Sequence, residues 1–498
     1  MGPGIILSCI SIYFIILLFI AWLTSRHATN DSYFLGNKQS PWYIVAFGMI
    51  GDSLSGVTFL SLPGTVLLAQ FGYMQMVFGY VLGYFVIAGI LLPLYYKLNL
   101  TSIYSYLHSR FGATTQKTGS FFFLISRLIG AALRLLLAAG VIQLFVSEPL
   151  NIPFPVTVSI IILLILLYTF QGGIKTLVWT DTFQSLMLLG GVAISILLIA
   201  QHLNFSFGQI LTAVYQSEHS RIFFIDNWRE KSFFFKQFIS GAFIAIVMTG
   251  LDQNMMQKNL SIRSLPDAQK NMRVFSFIVV LVNLFFVSLG ALLYIYANTK
   301  GISLPVNADT GKIITDQVFS FIALNQLGGI AAIIFIVGLT AATFNSADSV
   351  LTTLTTSFCI DFLNMEKHET MEQEKRVKKY RIMVHFAFAL LLLITILLCA
   401  ELNSTSILDA IFTVAAYTYG PLLGLFAFGL FTKRICIDYL TPVVCIISPL
   451  LTFLLHTYSE QLLNGYKFGY ELLLINGLLT FIGLTIISKK KEQQTTLI

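Results

Sequence analysis

The chain has 498 residues, of which 56% are hydrophobic and only 11% are charged, and its formal net charge is +7. This composition excludes a soluble globular protein and a disordered one, and it indicates a polytopic helical membrane protein. We interpret the excess of Lys and Arg as a signal of orientation in the membrane and not of nucleic-acid binding. The five cysteines lie in apolar runs without metal-ligand spacing, so we expect no disulfide framework.

Thirteen apolar segments follow one another along the chain, and we interpret them as membrane spans. They cover residues 5–24, 42–66, 72–96, 119–146, 154–170, 177–200, 233–256, 273–297, 317–357, 382–400, 406–431, 437–457 and 468–488. The segment 317–357 is long for one crossing, so we expect a short helix or turn around residues 325–329 before the span proper.

The basic residues predict an orientation. Of the 30 Lys and Arg, 21 fall in one set of alternate loops and 7 in the other set. Because cytoplasmic loops carry the excess of positive charge, this bias predicts an N-terminus outside the membrane and a cytoplasmic C-terminus. An odd number of spans is needed for that arrangement, which favours thirteen.

The second apolar segment contains a sequence that is poor for a continuous helix. Residues 48–64 combine four glycines, a run of hydroxyl side chains and Pro63. Non-helical backbone at membrane depth is tolerated where it lines a cavity, and its free carbonyls can bind a cation. We therefore predict a broken helix here, the alternative being a kinked helix that packs closely through its small residues.

Two arginines lie in the fourth segment. We expect Arg127, near the predicted inner end, to reach the membrane surface or a loop acid. Arg134 lies seven residues further on the same helix face, and a buried guanidinium needs an anion. That anion is either an intramembrane aspartate or a substrate carboxylate, which Arg can bind through two parallel hydrogen bonds.

Three further segments contain polar groups or breakers. Asp181 lies at the start of the sixth segment, where it would repel a second carboxylate unless a cation intervened. Asp252 lies at the end of the seventh segment, and we expect an interfacial pair with Lys258 and a structural or gating role. Gly420 and Pro421 in the eleventh segment predict a hinge.

The ninth segment changes character along its length. Residues 330–340 are apolar, whereas oxygen-bearing side chains follow at helical spacing. This row consists of Asn345, Asp348, Ser349, Thr352, Thr353 and Thr356. Because an ionisable group at the bilayer centre costs ~2.5–3.5 kcal/mol, we expect Asp348 to face a cavity and a cation, with sodium suiting oxygen ligands. The alternative is that the Ser and Thr residues only pack helices together.

Six motifs in this order resemble those of the sodium:solute symporter family, whose members share a LeuT-type fold. They lie at residues 33–36, 110–112, 172–181, 252–258, 345–349 and 419–424. The resemblance implies an all-α polytopic membrane protein of about 13 transmembrane helices, with broken helices and two inverted five-helix repeats. A single transporter domain, 1–498, would then contain a first span (5–24), the two repeats (42–200 and 233–431) and two last spans (437–488).

The resemblance also implies where sodium binds. A first sodium site would use the backbone carbonyls of Gly51, Leu54 and Ala342 and the side chains of Asn345 and Ser346. A second sodium site, found in only some members, would use Asp181, Asp348 and Ser349, with Asn345 as a further candidate ligand. Many relatives have Ser at the position of Asn345, where an amide oxygen can still bind sodium.

Within the family, Arg134 and the run from Ser55 to Thr58 resemble the bacterial sialic acid transporters. In those proteins the equivalent Arg binds the carboxylate of the sugar acid. The resemblance implies that Ser55 and Thr58 also contact the substrate and that Tyr73 and Gln75 line its pocket.

We therefore expect a sodium-coupled symporter that imports a small organic solute, a carboxylate-bearing sugar such as sialic acid, by alternating access. The alternatives are proton coupling and a neutral solute (a sugar, inositol or proline) or another anion. No nucleophile–base pair or nucleotide loop suggests an enzyme, and a channel or sensor fits less well. We expect a multi-pass protein of the bacterial inner membrane, in contact with lipid and not with nucleic acid, that can act as a monomer.

Overall fold

The computed structural model describes residues 3–26, 30–307, 311–365, 371–401 and 407–489. Within these ranges the chain is predominantly helical. Three of the basic residues counted for the orientation, Lys367, Lys490 and Lys491, lie outside the described residues.

The first part of the described residues forms ten α-helices. They are α1 (Pro3–Ser25), α2 (Asn30–Leu35), α3 (Trp42–Ser53), α4 (Gly56–Ala69), α5 (Tyr73–Val86), α6 (Leu92–Lys97), α7 (Ser105–Arg110), α8 (Ala113–Ile142), α9 (Phe154–Leu203) and α10 (Phe207–Tyr215).

The second part adds eleven α-helices. They are α11 (Phe234–Ala245), α12 (Gln253–Leu260), α13 (Leu265–Lys300), α14 (Thr315–Asn325), α15 (Gly329–Ser357), α16 (Met371–Ala400), α17 (Ile407–Thr418), α18 (Gly420–Phe431), α19 (Thr441–Thr457), α20 (Ser459–Leu462) and α21 (Leu472–Ile486). Two short strands, β1 (Ile435–Cys436) and β2 (Ser488–Lys489), pair antiparallel with Ile435 opposite Lys489.

Short π-helical and 3-10 segments adjoin several helices. The π-helical segments are Ile87–Leu91, Gln143–Ser147, Ile246–Gly250 and Phe358–Phe362, and the 3-10 segments are Gly36–Lys38, Glu148–Leu150 and Asp438–Leu440.

The described residues contain enough long apolar helices for a polytopic membrane protein. Eight are long and apolar enough to cross a membrane, and the number rises to 11 if each of three bent helix pairs is one span. Two shorter apolar helices, Phe154–Phe170 and Leu472–Ile486, are also present. The count of thirteen spans stays a prediction, because it requires both shorter helices to cross.

The predicted break in the second apolar segment is confirmed. Helices α3 and α4 are bent by 59° at Leu54 and Ser55, where the backbone leaves the helical region. The predicted bend at Gly420 is also found, with 43° between α17 and α18. Both breaks follow from residues that weaken a helix, namely Gly, Pro and hydroxyl side chains.

A third break was not predicted. The helix that contains α11 bends by 63° before α12, at Leu251 and Asp252. The Asp252 carboxylate accepts a hydrogen bond from the backbone N–H of Met255 and so caps α12. All eight residues of α12 are buried, although most are polar, and the interpretation of Asp252 as an interfacial residue is therefore wrong.

Helix α9 contains the predicted boundary between two spans. Gly173 has φ +55°, and a Cβ atom there would lie 2.5 Å from the backbone of Tyr33. Only glycine accommodates both the left-handed backbone and this close approach. The boundary separates Phe154–Phe170 from Gly173–Leu203 and agrees with the predicted segments 154–170 and 177–200.

Helix α15 lies at the centre of the bundle. Every residue from Gly338 to Ser357 is buried, and α9 packs along the helix on one side. A turn after Asn325 separates α14 from α15, as predicted. The polar side chains of α15 therefore face protein on all sides, which is the condition under which a membrane helix tolerates them.

Loops that the sequence assigned to the same membrane face are hydrogen-bonded to one another. At one end of the bundle Ser40 bonds to Ser261, and Arg110 bonds to the carbonyls of Thr432 and Arg434. At the other end the chain near Phe71 bonds to that near Arg221. Which end faces the cytoplasm stays a prediction, as do the boundaries of the two repeats.

Candidate substrate and sodium sites

A cavity opens beside the break between α3 and α4. It is lined by Asp52, Ser53, Leu54, Ser55, Val57, Thr58, Tyr73, Tyr80, Tyr84, Arg127, Arg134, Ile244, Ala245, Met248, Thr249, Met255, Asn283, Leu408, Ile411 and Phe412. Its lining combines hydroxyl, amide, guanidinium and carboxylate groups with apolar side chains. This mixture suits a small polar solute that also has carbon surface.

Four of the five predicted substrate residues line this cavity, namely Ser55, Thr58, Tyr73 and Arg134. The fifth, Gln75, does not. Its amide bonds to the carbonyl of Ser232 and accepts the N–H of Phe224, so it ties α5 to a loop. The geometry gives no support for a substrate contact by Gln75.

Arg134 is one of two arginines that line the cavity. Among the residues that the structure describes, none forms a hydrogen bond or an ion pair with its guanidinium. Of the two partners left open by the sequence, an intramembrane aspartate is therefore not the one observed. A half-buried guanidinium without a partner is costly unless a ligand supplies the anion.

Arg127 does have an acidic partner, and it differs from the one expected. Its Nε lies 2.5 Å from Oδ2 of Asp252, and both side chains are buried. The hydroxyl of Tyr419, at the break between α17 and α18, donates to the same Oδ2 at 2.5 Å. The pair connects α8 with two of the broken helices, so the expectation that Arg127 reaches the membrane surface is wrong.

One contact between helices that is expected at the first sodium site is present. Gly51 lies directly against Asn345, because a Cβ atom on Gly51 would be 2.5 Å from Asn345 Nδ2. Leu54 is at the break, and the Ser346 hydroxyl donates to the Ala342 carbonyl at 3.2 Å. The broken helix thus meets α15 at the predicted place.

Asn345 shows why this place suits a cation. Its side chain is fully buried, yet neither its amide oxygen nor its amide nitrogen has a hydrogen-bond partner among the residues that the structure describes. An unsatisfied buried polar group costs about 1–3 kcal/mol. A sodium ion bound by the amide oxygen would remove part of that cost, so the residues present fit a sodium ion.

Asp348 is held by hydrogen-bond donors. Its Oδ2 accepts from the Tyr168 hydroxyl at 2.8 Å and from Gln184 at 3.4 Å, and its Oδ1 accepts from the backbone N–H of Ser349 at 2.5 Å. Tyr168 and Gln184 lie on α9. The carboxylate is therefore part of the contact between α15 and α9.

Asp181 and Ser349, the other residues of the expected second sodium site, contact a lysine. Lys258 Nζ lies 2.5 Å from Asp181 Oδ2 and donates to the Ser349 hydroxyl at 2.9 Å. It also forms an ion pair with Asp52, whose side chain lines the cavity. The expected pair of Lys258 with Asp252 is wrong, and so is the count of Lys258 among the loop residues.

Sequence reasoning missed several residues of these sites. Asp52, Tyr80, Tyr84 and Asn283 line the cavity, and Lys258 joins it to the buried acids. Asp52 had a signal, because it lies within the predicted break. Lys258 had none, because a polar helix end after an apolar run normally lies at the membrane surface.

Comparisons with known proteins agree with this architecture. The model of the sodium:solute symporter family matches residues 33–437. The chain belongs to the sodium:solute symporter family. The family and the relatives found are transporters and not enzymes.

Two bacterial relatives match most of the chain. The sodium/sialic acid symporter SiaT of Proteus mirabilis is 26% identical over 91% of this chain and 89% of its own length. The sodium/sialic acid symporter NanT of Aliivibrio fischeri is 27% identical over 83% of this chain and 80% of its own. A sodium-dependent multivitamin transporter of Oryctolagus cuniculus is 24% identical over 80% of this chain and 61% of its own.

Solved structures show the same fold. A sodium-coupled sialic acid symporter in a substrate-bound outward-open state superposes with a TM-score of 0.80, at 22% identity over 98% of this chain and 99% of that one. The nucleobase–cation symporter Mhp1 in a closed conformation superposes with a TM-score of 0.50. Its identity is 12%, over 90% of this chain and 91% of that one. The LeuT-type fold implied by the sequence is confirmed.

Proposed function

We propose that this protein is a sodium-coupled symporter that imports a carboxylate-bearing sugar of the sialic acid type by alternating access. The observation that carries the substrate class is Arg134, which faces the cavity without an acidic partner among the described residues. Two relatives of nearly the same length are named sodium/sialic acid symporters, which supports the same class.

Each part of the substrate has a counterpart in the cavity. Arg134 binds the carboxylate, because a guanidinium matches a carboxylate with two parallel hydrogen bonds. Ser55 and Thr58 offer hydroxyl groups beside it. Asn283, whose buried amide oxygen has no partner among the described residues, and Tyr80 also line the cavity and bind sugar hydroxyl groups.

Sodium binds where the broken helix meets α15. The carbonyls of Gly51, Leu54 and Ala342 and the side chains of Asn345 and Ser346 supply the oxygen ligands. The same break carries Ser55 into the substrate cavity, one residue beyond Leu54. Sodium therefore orders the backbone that also shapes the substrate site, and it favours the binding-competent state by its higher affinity for that state.

Contacts at the predicted cytoplasmic side of the cavity keep that side closed. Arg127, Asp252 and Tyr419 join three helices there. Beyond them, the Asp438 carboxylate accepts the N–H groups of Thr114 and Thr115. Opening toward the cytoplasm would require these contacts to separate, as alternating access demands.

The setting proposed for this activity is the bacterial inner membrane, with the N-terminus outside, the C-terminus in the cytoplasm and a monomer as the functional unit. Single cysteines placed at Gly4 and at Lys489, both on described helix or strand ends, can be labelled from one side of sealed vesicles. A reagent that does not cross membranes should modify them from opposite sides.

Uptake into proteoliposomes tests the proposed function. Labelled sialic acid should accumulate when a sodium gradient is imposed and should not accumulate with choline or with a proton gradient alone. Unlabelled monocarboxylates and neutral sugars serve as competitors. Sodium-driven uptake of a neutral solute with no response to sialic acid would refute the carboxylate assignment, and uptake driven by protons alone would refute sodium coupling.

A further inference from the structure

We propose that the ammonium group of Lys258 takes the place of a second sodium ion, so that this transporter binds and couples to one sodium ion only. The inference deepens the proposed symport function and rests on it. It concerns the chain's own residues at the site where Asp181, Asp348 and Ser349 were expected to bind sodium.

The first support is the coordination of Lys258. A lysine ammonium has three N–H donors and no acceptor. Here the three donors meet three oxygen acceptors, the carboxylates of Asp52 and Asp181 and the hydroxyl of Ser349. The side chain of Lys258 is 2% exposed, so water does not compete for these contacts.

The second support is that the expected sodium ligands are already engaged. Asp181 Oδ2 and Ser349 Oγ both contact Lys258. The third expected ligand, Asp348, accepts hydrogen bonds from Tyr168, Gln184 and the N–H of Ser349. Among the described residues, the oxygens of this site without a partner are Oδ1 of Asp181 and the amide oxygen of Asn345, which is also a ligand of the first site; two oxygens are fewer than a hard cation needs.

The third support is electrostatic. Two buried carboxylates close together repel each other unless a positive charge lies between them. Lys258 supplies that positive charge, and because the ammonium group is covalently attached to the chain, its presence does not depend on the sodium concentration. An additional sodium ion at the same place would face the fixed positive charge of the ammonium at close range, which opposes its binding.

Lys258 also connects several helices. It lies on α12, while Asp52, Asp181 and Ser349 lie on α3, α9 and α15. Two of these helices, α3 and α12, belong to broken pairs. The tethered cation therefore holds the acidic cluster together in the absence of sodium, whereas a mobile ion would do so only when bound.

The experiment counts bound sodium ions on the purified full-length protein. Equilibrium binding of radioactive sodium, with and without sialic acid, should saturate at one ion per chain. Lys258→Met keeps a similar side-chain length and removes the charge, which exposes Asp52, Asp181 and Ser349 as oxygen ligands. We expect this variant to bind two ions per chain, and Lys258→Arg to bind one.

A matched control removes a lysine elsewhere. Lys300 is exposed at the end of α13 and does not line the cavity, so Lys300→Met should still bind one ion. Two ions bound by the unmodified protein, or one ion bound by a folded Lys258→Met protein, would overturn the inference. If Lys258→Met does not fold, the counts for the unmodified protein and for Lys258→Arg decide, because two ions on either one contradict the tethered-cation role.

Failure of the inference and failure of the proposed function give different results. Two bound ions with sodium-driven uptake of sialic acid would refute only the role of Lys258. One bound ion without uptake of sialic acid would refute the substrate and leave the role of Lys258 standing. No bound sodium would refute the sodium coupling, and the inference with it.

Discussion

Replacement of Arg134 by alanine separates substrate binding from folding. The guanidinium faces the cavity and has no hydrogen bond or ion pair with any residue that the structure describes. Removing it should therefore cost the empty protein no hydrogen bond or ion pair with a described residue. Because an unpaired, half-buried charge is itself unfavourable, the thermal stability without substrate should stay equal or rise.

The effect on binding should be large. Truncating one partner of a buried, hydrogen-bonded charge pair costs about 2–5 kcal/mol, and each 1.4 kcal/mol is tenfold in affinity. Arg134→Ala should thus weaken the binding of sialic acid by about 30-fold to several thousand-fold. The affinity of Arg134→Lys for sialic acid should lie between those of the unmodified protein and Arg134→Ala, because lysine keeps the charge but cannot form the two parallel hydrogen bonds.

Calorimetry of purified protein in sodium measures the affinity, and thermal unfolding in the same buffer measures the stability. Sodium binding by Arg134→Ala should survive, since the sodium ligands lie at the helix break and on α15. An unchanged affinity for sialic acid would refute the carboxylate contact. A loss of affinity accompanied by a similar loss of stability would refute the interpretation of Arg134 as an unpaired group.

The remaining predictions concern the pair of Arg127 with Asp252 and the sodium site. Arg127→Ala should destabilise the protein by about 3–5 kcal/mol, because it leaves the buried Asp252 carboxylate unpaired; an unchanged thermal unfolding curve would contradict this. Gly51→Ala should abolish sodium-dependent uptake, since its Cβ would lie 2.5 Å from Asn345, whereas Gly140→Ala, with open space around it, should retain uptake. Asn345→Ala should raise the sodium concentration for half-maximal uptake by about tenfold, a loss of roughly 1.4 kcal/mol, and should raise stability in sodium-free buffer by removing two unsatisfied polar atoms. A sodium titration that does not change would exclude Asn345 as a ligand.

Local sequence was sufficient where a single residue decides the backbone. The break at Leu54 and Ser55 was predictable because glycine and hydroxyl residues weaken a helix that the bilayer otherwise favours. The bend at Gly420 was predictable for a similar reason, with proline next to it. The break at Asp252 was not predictable in the same way, because its segment has no Pro and continues as a polar helix.

The tertiary structure decided which charges pair. From sequence alone, Asp252 and Lys258 are two charges six residues apart at an apparent helix end, and a mutual pair is the simplest expectation. In the fold, the 63° bend turns α12 into the interior and sends the two side chains to different partners, Arg127 and Asp181. Hydropathy cannot separate a polar helix at the membrane surface from one that is enclosed by protein, because both have the same residues.

The sequence by itself therefore determined the class of the protein, its broken second span, the polar face of its ninth segment and the residues of one cavity wall, since these depend on hydrophobicity and on local helix propensity. The fold decided that Arg134 has no ion-pair partner among the described residues and that Arg127 pairs with Asp252. It also decided that Gln75 bonds to a loop and that Lys258 contacts Asp52 and Asp181. These outcomes depend on which helices become neighbours, and an ion pair between residues 77 to 206 positions apart has no local signature in the chain.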